Sequence, residues 1–132
     1  MGHAYSSIIA DFFSRFKTID GYKVYFLTGT DEHGLKIQRS AEKEGLDPLN
    51  FCDQISKTFR DLSKTLNLSN TDFIRTTEER HKKTVQHLWK ELENNGDIYL
   101  SNYSGWYSVS DEAFYNEDEI EEVEGKKISI SS

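Results

Sequence analysis

Tyr22-Lys23-Val24-Tyr25-Phe26-Leu27-Thr28-Gly29-Thr30-Asp31-Glu32-His33-Gly34 is the stretch that decides the fold. Tyr22 to Leu27 is a short aromatic and β-branched run, the composition of a buried strand. Thr28 to Gly34 follows directly, with glycines bracketing Asp31, Glu32 and His33. Open α/β sheets bind ligands at the C-terminal ends of their strands, so this loop is a candidate site. Asp31 suits a substrate ammonium through a charge-assisted hydrogen bond, and His33 suits a phosphate or a role in holding Asp31. The same residues also suit a plain strand-to-helix turn with Asp as N-cap. The spacing leaves both readings open.

Upstream, Tyr5, Ile8, Ile9, Phe12, Phe13, Phe16 and Ile19 recur at helical spacing, with Gly21 as a stop. A helix, a glycine and a strand in that order suggest a βαβ unit missing its first strand. Gly2-His3 stands directly before the helix. A helix N-terminus favours phosphate, an imidazole there can donate to a phosphate oxygen, and a glycine beside it lets a flat base pack on the backbone. Taken alone, Gly2-His3 reads more readily as a frayed terminal pair than as a site.

Downstream, Leu35 to Glu44 reads as a second helix closed by Gly45, and Pro48 suits the first turn of a third. Phe51, Ile55, Phe59, Leu62 and Leu66 form the core stripe of that third helix. Asp72 to Thr77 reads as a short strand. A fourth helix carries Val85, Leu88, Trp89 and Leu92 and ends at Asn95-Gly96. From Ile98 to Tyr115, aromatic residues alternate with Ser, Asn and Gly, which is hairpin composition and marks a new subdomain near residue 97. The acidic segment after it and Gly125-Lys126-Lys127 read as loop or frayed end.

The net charge of −7 is local in origin. Asp111 to Glu124 holds eight acids and no Lys or Arg, leaving sixteen basic against fifteen acidic residues elsewhere. That balance neither argues against a nucleic-acid partner nor supplies a basic stripe for one. Cys52 is the only cysteine, which excludes an internal disulfide. One Cys and four scattered His exclude a zinc knuckle, and no Walker loop or Ser-His-Asp pattern is present. Cys52, beside the Phe51 stripe, reads as a packed thiol. His81 and His87, six apart, share no helix face and read as solvated. No apolar run is long enough to span a bilayer, and no signal peptide precedes the first helix, so the expected setting is the cytoplasm or an organellar matrix.

Four blocks in order carry a resemblance: Gly2-His3-Ala4-Tyr5-Ser6, Gly21-Tyr22 with Val24 to Gly34, Phe73-Ile74-Arg75-Thr76-Thr77 with Glu78 and His81, and Gly96-Asp97-Ile98-Tyr99 with Gly105 to Glu112. Together they resemble the N-terminal part of the methionyl-tRNA synthetases, a family of class I aminoacyl-tRNA synthetases. The resemblance implies an α/β fold: a partial Rossmann-type catalytic domain over residues 1–96 and the start of a β-rich connective-peptide insertion over 97–132. It implies ATP-dependent activation of methionine to methionyl-adenylate and transfer to tRNA(Met). His3 resembles the signature histidine that contacts the ATP phosphates. Gly2 resembles the glycine that lets adenine approach, and Asp31 the acid that orders the methionine ammonium. His33 lies in the same motif and is assigned to ATP. Methionine, ATP and Mg²⁺ are the implied small ligands.

The resemblance also has departures. The family's first strand and first signature histidine are expected before Met1, itself the variable residue inside that signature. The Lys-Met-Ser-Lys-Ser loop and anticodon-binding domain are expected after Ser132. Where many members carry cysteines near Trp106, Ser108 and Asp111 stand here, which implies a branch without zinc. Two other readings stand beside this one. One is another class I synthetase for leucine, isoleucine or valine; those usually place a Trp-Asp or Gly-Leu-Pro sequence here, whereas Lys36 follows Gly34-Leu35. The other is an inert remnant, or one that depends on a complementing chain.

Overall fold

The computed structural model describes residues 2–123 and 125–129. Its centre is a parallel strand pair, β1 (Leu27–Thr30) and β2 (Asp72–Arg75), in the register Leu27 to Asp72 through Thr30 to Arg75. The crossover between them is helical, α2 (Leu35–Lys43) and α3 (Pro48–Thr65). That is the βαβ unit of a Rossmann-type sheet. Helix α1 (Gly2–Ile19) precedes it and α4 (Glu79–Asn95) follows. Two antiparallel hairpins complete the chain: β3 (Trp106–Ser108) with β4 (Ala113–Tyr115), and β5 (Ile120–Val123) with β6 (Lys126–Ser129).

Local chemistry sets the helix ends. Pro48 occupies the first turn of α3, and the Asp47 carboxylate accepts the Leu49 and Asn50 amides at 2.7 and 3.4 Å. Gly96 ends α4 in the left-handed conformation at φ 80°, which a residue with a Cβ resists. Helix α1 is tied to the α3–β2 connection by Asp11, which accepts the amide and hydroxyl of Ser69, each at 2.6 Å.

Three expectations need correcting. The strand expected at Tyr22 to Leu27 lies later, at Leu27–Thr30. Pairing decides this: the ladder begins where Thr71 donates to the Phe26 carbonyl at 2.9 Å, and residues before Phe26 have no strand beside them among the described residues. Thr28, Gly29 and Thr30, expected in the loop, are therefore strand. Second, the acidic segment and Gly125-Lys126-Lys127 are not a frayed end. Ile120–Val123 pairs with Lys126–Ser129, with Gly125 turning the chain at φ 75°. Third, α1 begins at Gly2, so His3 stands inside its first turn rather than before it. Met1, expected inside the signature, lies outside the described residues, as do Ser131 and Ser132.

The core is built from small residues. Ala41 and Cys52 are the buried hydrophobics among the described residues, and Ser56, one turn after Cys52, is buried beside them. The expected stripe of α3 has Ile55 exposed and Phe51, Phe59, Leu62 and Leu66 half-buried. The apolar faces of α1 and α4 are open as well: Phe12, Phe13 and Phe16 on one, Val85, Leu88 and Trp89 on the other. The helical periodicity is as expected, but nothing in this segment covers those faces.

Gly29 is required by close approach. A Cβ there would collide with the Ile74 carbonyl and lie 2.8 Å from Ile74 Cγ2 across the parallel pair. Gly29→Ala is expected to push β1 off β2 and cost about 1–3 kcal/mol, as overpacking does. Thermal denaturation followed by circular dichroism on a full-length chain carrying the change measures it. An unchanged midpoint would show that the strand pair tolerates the methyl group.

Candidate active site

The C-terminal end of β1, the first turn of α1 and one face of α3 enclose an open cavity of about 410 Å³. His3 and Asp31, expected as phosphate and ammonium ligands, both line it. The His3 ring meets Phe59 of α3 edge-on, with ring centroids 5.2 Å apart. Its place in the first turn puts it among the amides that have no partner within the helix. Gly2 beside it faces open space.

Asp31 is exposed and is not a helix cap. The N-cap of α2 is Gly34, at φ 112°, with no side-chain cap of its own. The plain-turn reading of the loop therefore loses its Asp N-cap. The acid at the start of α2 is Glu112, from the turn between β3 and β4. Its Oε1 accepts the Lys36 amide at 3.2 Å, and its Oε2 lies 3.5 Å from Lys36 Nζ. That carboxylate fills the positive end of α2.

Glu32 is the residue that sequence reasoning passed over. It is 6% exposed, and its carboxylate is fully engaged. Arg75 Nε donates to both oxygens, at 2.8 and 3.0 Å, Thr77 Oγ1 donates at 2.6 Å and Thr30 Oγ1 at 2.7 Å. Arg75 also pairs with Asp53 at 2.6 Å. Burial works to raise the Glu32 pKa. The hydrogen bonds from Arg75, Thr77 and Thr30 outweigh it and hold the carboxyl below its ordinary range. The same pairing raises the pKa of Arg75. Glu32 Oε1 and Arg75 Nε sit at the ends of neighbouring strands, so the pair locks the strand ends together. A sequence signal existed: Glu32 and Arg75 are opposite charges just at or beyond the ends of two apolar runs.

His33 is set apart from the cavity. Its Nε2 lies 3.2 Å from the carbonyl of Thr76. Cys52 lines the cavity wall with its thiol 3.7 Å from the Glu32 carbonyl; burial, and next the Glu32 charge, push its pKa up. His81 is half-buried and His87 exposed on α4. Among the described residues no group of three or more His, Cys, Asp or Glu converges as a metal cage. No described helix is long and apolar enough to cross a membrane.

An imidazole in a helix's first turn and an exposed carboxylate just beyond a strand end line one cavity, and similarity to known proteins gives the class. The profile of the family described as tRNA synthetases class I (M) matches residues 1–126, so the chain belongs to the class I tRNA synthetases. Within that class its relatives are methionine--tRNA ligases. That of Rickettsia prowazekii (strain Madrid E) is 55% identical over 122 residues, which are 92% of this chain and 24% of that protein. The mitochondrial enzyme of Takifugu rubripes is 49% identical over 134 residues, 99% of this chain and 23% of that protein. The chain thus spans about a quarter of the length of these curated relatives. Among solved structures, Mycobacterium tuberculosis methionyl-tRNA synthetase bound by methionyl-adenylate superposes with a TM-score of 0.93 at 44% identity, over 99% of this chain and 26% of that one. The free-state structure of that enzyme gives 0.68 at 40% identity, over 98% of this chain and 23% of that one.

Glu32→Gln is expected to destabilise the fold by about 3 kcal/mol at neutral pH, the low end for breaking a buried pair, because Asp53 still holds Arg75. The sign follows from the depressed carboxyl. Its contribution is complete above the ordinary value of 4.5 and is lost as pH falls through the lower folded value. Denaturant melts of wild type and variant across that window should converge on acidification. A gap that stays constant with pH would mean Glu32 contributes by packing rather than by charge.

Proposed function

We propose that this segment supplies the amino-acid and phosphate contacts of a methionine-activating site. The observation that carries the reading is that His3 and Asp31, far apart in sequence, line one cavity at the end of β1. In the reaction, a methionine carboxylate oxygen attacks the α-phosphorus of ATP and pyrophosphate leaves, forming methionyl-adenylate. Transfer of the methionyl group to tRNA(Met) follows. Asp31 meets the substrate ammonium and so orients the attacking carboxylate. His3 donates from the first turn of α1 to phosphate oxygens as charge develops, and Gly2 lets the adenine approach the backbone. The work is positioning and charge stabilisation.

Mg²⁺ shares phosphate charge when bound to ATP, as in phosphoryl transfer. The cavity offers it no protein cage: Glu32 is committed to Arg75, and Asp31 faces the ammonium. With one cysteine and no replacing His cluster, zinc has no part in this reading. We assign residues 1–96 to the catalytic domain and 97–132 to the start of the connective-peptide insertion, whose Glu112 docks on α2. Further chain, continuous with this one or complementing it, supplies the rest of the enzyme in the cytoplasm or an organellar matrix.

In a full-length enzyme carrying this segment, Asp31→Ala should raise the methionine KM by about ten- to a hundredfold, the worth of a charge-assisted contact, with the ATP KM little changed. His3→Ala should instead slow adenylate formation. Methionine-dependent pyrophosphate exchange with each substrate varied in turn measures both. Wild-type methionine kinetics for Asp31→Ala would remove the ammonium assignment. The isolated 132-residue chain should show no such exchange, because it spans a quarter of its relatives and leaves its apolar helix faces uncovered. Robust exchange by the segment alone would refute that.

A further inference from the structure

Asp31 is exposed, and an exposed carboxylate needs something to aim it. Thr76 stands next to it, one residue beyond β2. Its amide donates to the Thr30 carbonyl at 3.2 Å, continuing the parallel ladder past the end of the strand. Its Oγ1 accepts the Glu32 amide at 2.8 Å and lies 3.3 Å from Asp31 Oδ1. Its carbonyl faces His33 Nε2 at 3.2 Å.

The chemistry of a hydroxyl fixes the direction of this chain. Thr76 Oγ1 has one proton, and a carboxylate can only accept. With the Glu32 amide as donor to the oxygen, the proton is left for Asp31. An amide-to-hydroxyl-to-carboxylate sequence runs in one sense, and each bond polarises the next. Among the described residues Asp31 Oδ2 has no such partner.

We infer that Thr76 is a positioning residue for amino-acid recognition: its hydroxyl pins Oδ1 of Asp31 and leaves Oδ2 turned to the substrate ammonium. This rests on the reading of Asp31 as the ammonium ligand and adds what holds that ligand. The Glu32–Arg75 pair fixes Glu32, the Glu32 amide fixes the Thr76 hydroxyl, and the hydroxyl fixes Asp31. Thr76 touches no substrate itself. It acts only through Asp31, so its loss belongs in methionine binding and not in ATP binding.

The test is pyrophosphate exchange in a full-length enzyme carrying Thr76→Val, Thr76→Ser, Asp31→Ala, and Thr76→Val with Asp31→Ala. Thr76→Val keeps the shape and removes the hydroxyl. It should raise the methionine KM about tenfold, the cost of one hydrogen bond to a charged group, with the ATP KM unchanged. Thr76→Ser keeps the hydroxyl and should restore wild-type values. Added to Asp31→Ala, Thr76→Val should cost nothing further. A wild-type methionine KM in Thr76→Val, an equal rise in both KM values, or a full additional loss in the double variant would overturn the inference. If Asp31→Ala itself left methionine binding intact, the reading beneath would fall, and this inference with it. Should Thr76→Val not fold, Thr76→Cys, a close match in size with a much weaker donor, gives the same split between KM values, and its absence overturns the proposal.

Discussion

Arg75 reaches from the end of β2 to the carboxylate of Glu32, just beyond the end of β1, and the geometry of the site depends on that contact. Taking two charges out of water is costly, and such a pair is favourable only when nearly every polar atom around it is satisfied. Here both Glu32 oxygens accept from Arg75 Nε, one also from Thr77 and the other from Thr30. Of the two threonines, Thr30 ends β1 and Thr77 lies two residues beyond β2. The result is a clamp at the C-terminal ends of the two strands, beside the cavity. It forces the loop after β1 to leave the sheet in a fixed direction, with Asp31 on the cavity side and His33 on the Thr76 side.

Asp31 and Glu32 are adjacent acids with opposite fates. Glu32 turns inward, is buried and spends its charge on Arg75. Asp31 turns outward, is exposed and lines the cavity. The same division appears at the helix starts. The N-terminus of α2 is filled by Glu112 from the hairpin region, whereas the first turn of α1 brings His3 to the cavity. Glu112 adopts φ 53°, a backbone conformation that non-glycine residues rarely hold, at the tip of the turn that reaches α2. The β-rich part of the chain thus contributes a carboxylate to a helix end beside the site.

The open apolar faces have the same logic at larger scale. Helices α1 and α4 repeat their apolar residues at helical spacing, yet Phe12, Phe13, Leu88 and Trp89 are exposed. In relatives four times as long, a catalytic domain has more chain with which to cover such faces. The buried hydrophobics among the described residues, Ala41 and Cys52, with Ser56, lie on α2 and α3, which pack on each other, α3 also packing on β1.

Helix periodicity, the stops at Gly21, Gly45 and Gly96 and the Pro48 start were legible in the sequence, because each depends on neighbours within one or two turns. Asp31 and His3 stood out in the sequence as an acid after a strand and an imidazole at a helix start, and the structure brings both to one cavity. What sequence could not supply was pairing. Leu27–Thr30 became the strand instead of Tyr22–Leu27 because β2 offers its hydrogen bonds there. Lys126–Ser129 became a strand because Ile120–Val123 lies opposite it. Glu32, Arg75 and Thr76 owe their roles to a contact across more than forty residues of chain, which no local propensity encodes. The sequence alone determined which residues carry charge and which segments are helical. Only the tertiary structure decided which of two neighbouring carboxylates is buried and which is left exposed, since desolvation and pairing exist only once the strands stand side by side.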